Sequence, residues 1–264
     1  MKIRKIVVFA IVSLLLLPVT LAISNQKGPK EPLEKIEFIH CGPGFKWNDE
    51  LKICEKVAKS PAAKAPKQPS CYKFLTPTQV KWKVLPVNYV INPVNPVQTL
   101  DEAFVTSAVF NAAEEWDVHT TTELMNNASA NSIDYKATYG VQDYKNAITF
   151  GNYPTEGVIA VTTVWYNPAT KEIVEFDIMF DTDWTWGDAA TECGSTENST
   201  NTTCKIMDLQ NIATHEFGHA VGLNDVYDSA CSEVTMYGYS NYGEVKKRTL
   251  EKPDITGLQT LYGA

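Results

Sequence analysis

Histidine is scarce in this sequence: 264 residues carry four, at positions 40, 119, 215 and 219. Any chemistry that needs imidazole must come from very few places. Positive charge is also short, with 23 Lys and Arg against 31 Asp and Glu and a net charge of −8. That balance excludes nucleic acid and anionic membrane surfaces as natural partners. The one basic cluster, Lys246-Lys247-Arg248, reads as a solvated face. There is no internal repeat, and no apolar run of membrane-spanning length follows residue 23. With 44% hydrophobic residues, the chain is not disordered throughout and suits one globular domain with an appendage.

The exception to the polar character is the start. Lys2, Arg4 and Lys5 precede the run IVVFAIVSLLLL, then Pro18 and the small-residue site Thr20-Leu21-Ala22. This is the form of an export signal over 1–22, and the expected product is secreted. The alternative is a membrane anchor left uncleaved, against which Ser13, Pro18 and Thr20 argue. In an exported chain, six cysteines (41, 54, 71, 193, 204 and 231) imply three disulfides. Proximity favours Cys41 with Cys54 and Cys193 with Cys204, which leaves Cys71 with Cys231 by subtraction. Asn127, Asn198 and Asn201 head glycosylation sequons.

Composition divides the remainder. Residues 23–70 read as a pro-segment or a small cysteine-bounded unit, CGPGFKWNDELKIC at 41–54, followed by a Pro/Ala/Lys linker. The main domain is expected over 71–264. Strand-like runs occur at 86–92, 132–139, 147–151, 157–166 and 172–180, and DEAFVTSAVFNAAEEW at 101–116 has helical spacing. A second helix is expected from an Asp208 N-cap. Together these elements spell an α+β domain whose sheet packs against helices.

That second helix carries HEFGHAVGLND at 215–225. On a helix, residues four apart share a face, so His215 and His219 can reach one metal ion. Leu209, Ala213, Phe217 and Ala220 form the stripe that should face the core. Glu216 lies on the flank, where a carboxylate can take a proton from a water acidified by the metal. His40 and His119 belong to no such constellation and read as incidental. Gly222 is a natural helix stop, after which the chain can turn back. Asp225 is then the candidate third ligand and Asp228 the competitor, giving two histidines, one carboxylate and an open position. Such a donor set favours zinc, at one per chain.

The HExxHxxGxx pattern, followed by a ligand and by Met236 in EVTMYGY, resembles the signature of the metzincin metallopeptidases. With aspartate as third ligand, 215–236 is similar to the snapalysin-type secreted bacterial proteases. LEKPDITGLQTLYG at 250–263 looks like the closing helix of the matrixins, and 157–168 with 175–186 look like their two preceding strands. The resemblance implies a twisted mixed sheet of about five strands, packed with three helices, and a methionine turn below the zinc. It implies a zinc endopeptidase acting on protein or peptide substrates, as a monomer, with Glu216 as general base. Met236 would underlie the metal, Asp254 would brace the methionine turn, and Ile159, Ala160, Val161, Thr162 and Thr163 would form the rim that aligns an extended substrate. Pro253 stands where those enzymes receive a processed N-terminus. Asp181 and Asp183 resemble positions near a matrixin calcium site.

Two features of 40–54 point elsewhere. HCGPGF has a superficial likeness to the matrixin pro-segment motif that silences zinc with a free cysteine, but Cys54 stands ready to pair with Cys41. The Gly-Phe-x-Trp spacing is similar to a fragment of chitin-binding modules. The alternative function is accordingly a secreted carbohydrate-binding or adhesion protein that uses 41–54 and keeps the protease fold as scaffold. Glu216 discriminates, because a scaffold has no need of the base.

Overall fold

The computed structural model describes residues 32–57, 70–126, 132–197, 199–201 and 203–264. The leader at 1–22 and the sequon positions Asn127 and Asn198 lie outside the described residues. Described residues belong to one unit, Glu31–Ala264.

The frame is a five-stranded mixed sheet. Its strands are β1 (Glu34–Cys41), β4 (Val90–Ile91), β5 (Ala147–Gly151), β6 (Val158–Asn167) and β7 (Glu172–Asp181). Their spatial order is β1-β6-β7-β5-β4. β6 runs antiparallel to both β1 and β7, whereas β5 lies parallel to both β7 and β4. A separate hairpin, β2 (Phe45–Asn48) with β3 (Ile53–Lys56), follows β1 and is stapled to it by the Cys41–Cys54 disulfide. All ten residues of β6 are buried, since it is paired on both edges and covered on both faces.

Three long helices pack with this sheet: α1 (Glu102–Asp117), α3 (Leu209–Ala220) and α4 (Lys252–Tyr262), with a short α2 (Ala189–Cys193) in the cysteine-bounded loop. Each start is written in the sequence. Asp101 accepts from the Phe104 amide at α1, Asp208 from the Asn211 amide at α3, and Glu251 with Asp254 forms a reciprocal capping box at α4. The indoles of Trp116 and Trp82 donate to the Thr214 and Ala220 carbonyls, tying α1 and the 80s segment to α3. The family-level expectation of an α+β domain with about five strands and three helices holds, as do the three disulfides, Cys71–Cys231 included.

Three local expectations fail. The run at 132–139 is not a strand. It makes a single bridge from Ile133 to Ile91, after which Asp134 caps a turn by accepting from the Lys136 amide. The run at 86–92 contributes only Val90–Ile91, between Pro86 and Pro93, neither of which can donate to a ladder. Nor is Lys246-Lys247-Arg248 a solvated face. Lys247 is fully buried, its ammonium donating to the carbonyls of Tyr237 and Tyr239 and to Ser240 Oγ, and Arg248 pairs with Asp208 and Asp188.

Candidate metal centre

The floor of the centre is α3 and the turn that ends it. His215 and His219 lie buried on one face, with ring centroids 5.0 Å apart. Each has its Nδ1 held by a backbone carbonyl, His215 by Thr235 at 2.8 Å and His219 by Leu223 at 3.0 Å. With Nδ1 protonated toward a carbonyl, each Nε2 carries its lone pair toward a common point. Burial holds both imidazoles in the neutral, metal-ready form by lowering their pKa.

Gly222 ends the helix with φ 107°, and a Cβ there would meet the Val80 carbonyl at 2.9 Å. Only glycine suits both conditions. The reversed chain bonds Asn224 N to the Lys73 carbonyl and brings Asp225 back over α3. Asp225 Oδ1 lies 3.1 Å from His215 Nε2 and 3.7 Å from His219 Nε2, while Oδ2 accepts from the Tyr227 hydroxyl. Burial alone would raise the Asp225 pKa, but the facing imidazoles of His219 and His215 hold it well below the carboxylate range. Asp228 is turned to another task, capping the 3-10 turn Ser229–Cys231 by accepting from the Ala230 amide.

These residues fit a metal ion on their own chemistry. His215 Nε2 and Asp225 Oδ1 are buried without a hydrogen-bond partner, which is costly unless something binds them. Donors about 2.0 Å from a tetrahedral zinc are separated by about 3.3 Å, and the observed approaches bracket that value. His215, His219 and Asp225 form one of two such groups among the described residues.

Below His215, His219 and Asp225, Met236 is fully buried against α3, and Gly218 lets it come close: a Cβ there would lie 2.1 Å from its Sδ. Asp254 accepts from the Thr235 and Met236 amides and from Glu251 N, which sets the turn in place. Burial lifts the Asp254 pKa to about 6 against the pull of those amides. Glu216 is wholly buried, with Oε2 accepting from Thr162 Oγ1, and burial raises its pKa. The segment Ile159–Thr163 lies along β6 as expected, but its free edge is taken: Glu37–Ile39 face Thr163–Val161 and His40 faces Ala160. Asp181 is buried with its carboxylate engaged by the Tyr153 and Asp183 amides, and neither Asp181 nor Asp183 joins a metal-type group among the described residues.

His40 is a correction. Far from incidental, it is buried in the centre, its Nδ1 3.3 Å from Glu216 Oε1 and its ring 4.4 Å from that of His215. His119, in contrast, pairs with Glu115 at the end of α1. Sequence reasoning also missed Tyr227, which orients Asp225, and the role of Thr162 on Glu216. Hydroxyls carry no spacing signature, so neither could have been found. His40 left one clue, its place in a chain with only four histidines.

The fold and this donor set define a zinc metallopeptidase type of centre. Comparison agrees: the family model described as Matrixin matches residues 81–263. The chain is 28% identical over 190 residues to neutrophil collagenase of Homo sapiens, covering 72% of this chain and 35% of that one. It is 28% identical over 188 residues to stromelysin-1 of Mus musculus, covering 71% and 34%. It is 27% identical over 197 residues to the hatching enzyme of Paracentrotus lividus, covering 74% and 28%. The chain belongs to the matrixin family. It spans about a third of the length of these relatives.

Proposed function

We propose that this protein is a secreted zinc endopeptidase that hydrolyses peptide bonds in proteins, with His215, His219 and Asp225 as metal ligands and Glu216 as general base and acid. The observation that carries the reading is the convergence of three buried ligand atoms beside a buried glutamate, in a chain of matrixin family. When bound, zinc supplies Lewis acidity toward the scissile carbonyl and the attacking water. Glu216 takes the proton of that water on Oε1 while Thr162 holds Oε2, and returns it to the leaving amine. Tyr227 keeps Asp225 oriented, and the Thr235 and Leu223 carbonyls keep the imidazoles in one tautomer. The β6 edge at Ile159–Thr163, paired with β1 in this structure, is the rail along which an extended substrate would lie once β1 gives way, and the leader supports export.

Elemental analysis tests the reading. The chain should carry one zinc, Asp225→Ala should lose it and Asp228→Ala should keep it. Glu216→Ala should keep zinc and lose casein hydrolysis. Full zinc in Asp225→Ala, or undiminished hydrolysis in Glu216→Ala, contradicts the assignment.

A further inference from the structure

Tyr227 orients Asp225, and something must orient Tyr227. Its hydroxyl donates to Asp225 Oδ2 at 3.0 Å, and its ring rests on the chain at Gly238, where an added Cβ would lie 2.4 Å from Cε1. Tyr239 packs edge-on against Tyr227 with ring centroids 5.2 Å apart, and Tyr237 stands against Tyr239 at the same distance. The Gly238 amide donates to the Val226 carbonyl, so the chain before Tyr227 and the chain around Gly238 run side by side. The seat of Tyr227 is therefore set by where residues 237–240 lie. That segment belongs to no helix and makes a single bridge, Tyr237 with Val226.

Its anchor is Lys247. The fully buried ammonium donates to the Tyr237 carbonyl at 2.7 Å and to the Tyr239 carbonyl and Ser240 Oγ at 2.8 Å each, with Glu244 Oε1 at 3.8 Å. Three ammonium hydrogens thus meet three acceptors on one short segment. The Lys247 amide donates to Asn211 Oδ1 on α3, which fastens the segment to the helix of His215 and His219.

We propose that Lys247 is a positioning residue for the third metal ligand: by fixing residues 237–240 it seats Tyr227, and through Tyr227 it holds Asp225 in place. The inference rests on the zinc reading above. The sign of the effect separates position from charge. The ammonium interacts electrostatically with Asp225 and Glu216, so its charge reaches the centre. Acting through space alone, a buried cation repels a bound dication, and its removal would tighten zinc. Acting through Tyr227, its removal loosens zinc.

The test is the zinc affinity of the full chain, measured by competition with a chromogenic chelator in a double-mutant cycle of Lys247→Met with Tyr227→Phe. Lys247→Met should weaken zinc binding by about 10-fold in the unmutated chain and by less than about twofold in Tyr227→Phe, where the seat has no hydroxyl to aim. Lys247→Gln keeps two donors and should recover part of the loss, whereas a role for charge alone would make it match Lys247→Met. Equal weakening in both backgrounds, unchanged affinity or tighter binding overturns the proposal and leaves the zinc reading standing; no zinc in the unmutated chain overturns both. Should Lys247→Met fail to fold by circular dichroism, Lys247→Gln takes its place in the cycle. Failure of both to fold marks Lys247 as a residue of the core and overturns the proposal.

Discussion

The floor and the roof of the metal cleft are made in opposite ways. The floor is nearly contiguous in sequence: the cap Asp208, the proposed ligands His215, His219 and Asp225, and the underlying Met236 follow one another along a single stretch. The roof, Phe38 and His40 on β1, arrives from far earlier in the chain. A contiguous site is held by local turns, whose geometry is set by caps and a positive-φ glycine. A site completed from a distance is held by sheet pairing and a disulfide. The first should be robust and present whenever the domain folds. The second can be removed without dismantling the floor.

Removing disulfides should separate the two most strongly. Cys71–Cys231 spans 160 residues and joins the segment between β3 and β4 to the loop that follows Asp225, whereas Cys41–Cys54 spans 13 within the roof. The loop-entropy relation gives about 5 kcal/mol for the first and about 3 kcal/mol for the second. Urea unfolding of the two double-alanine variants should show that order, and zinc retention should fall only with the first. Equal losses of zinc would mean that floor and roof are one cooperative piece.

Next in size is the base. Glu216→Ala should lower kcat/KM for a peptide by about 10³-fold, within the range for general acid–base catalysis, with zinc unchanged. A loss below tenfold would move the proton transfer to another group. Orientation comes third: Tyr227→Phe frees Asp225 Oδ2 and should weaken zinc binding by about 10-fold, measured by competition with a chromogenic chelator. Unchanged affinity would make the hydroxyl a bystander.

Asp254→Asn gives the smallest effect. It removes charge from a carboxylate that serves the Thr235 and Met236 amides, and should cost about 1 kcal/mol in thermal unfolding. The pH dependence has a definite sign. The folded pKa of about 6 stands above the ordinary 3.8, so the folded state holds the proton more tightly. Between those values the Asp254 contribution to stability falls as pH rises, and its cost is complete above the folded pKa. Asp254→Asn should flatten that slope between pH 4 and pH 6.

The same contrast decides what the sequence could reveal. Helical spacing, caps and Gly222 are local signals, so α3, its two imidazoles and the return to Asp225 could be read before any coordinates. The long central strands, β5, β6 and β7, were legible because their apolar runs are continuous and bounded by turns. The run at 132–139 misled because alternation alone cannot register that Asp134 diverts the backbone into a turn. Lys247 misled because charge normally signals solvent, and only the fold shows the carbonyls of Tyr237 and Tyr239 converging on it. The position of His40 depended on a long-range pairing, β1 on β6, for which no residue spacing gives a sign. The occupied edge at Ile159–Thr163 was hidden for the same reason.

The most direct measurement is a crystal structure of the unmutated chain with anomalous data collected on either side of the zinc edge. The account predicts one peak about 2.0–2.2 Å from Nε2 of His215, Nε2 of His219 and an oxygen of Asp225, as zinc–nitrogen and zinc–oxygen bonds require. A peak bound to Asp228 instead, or no zinc peak between α3 and the Asp225 turn, would contradict it.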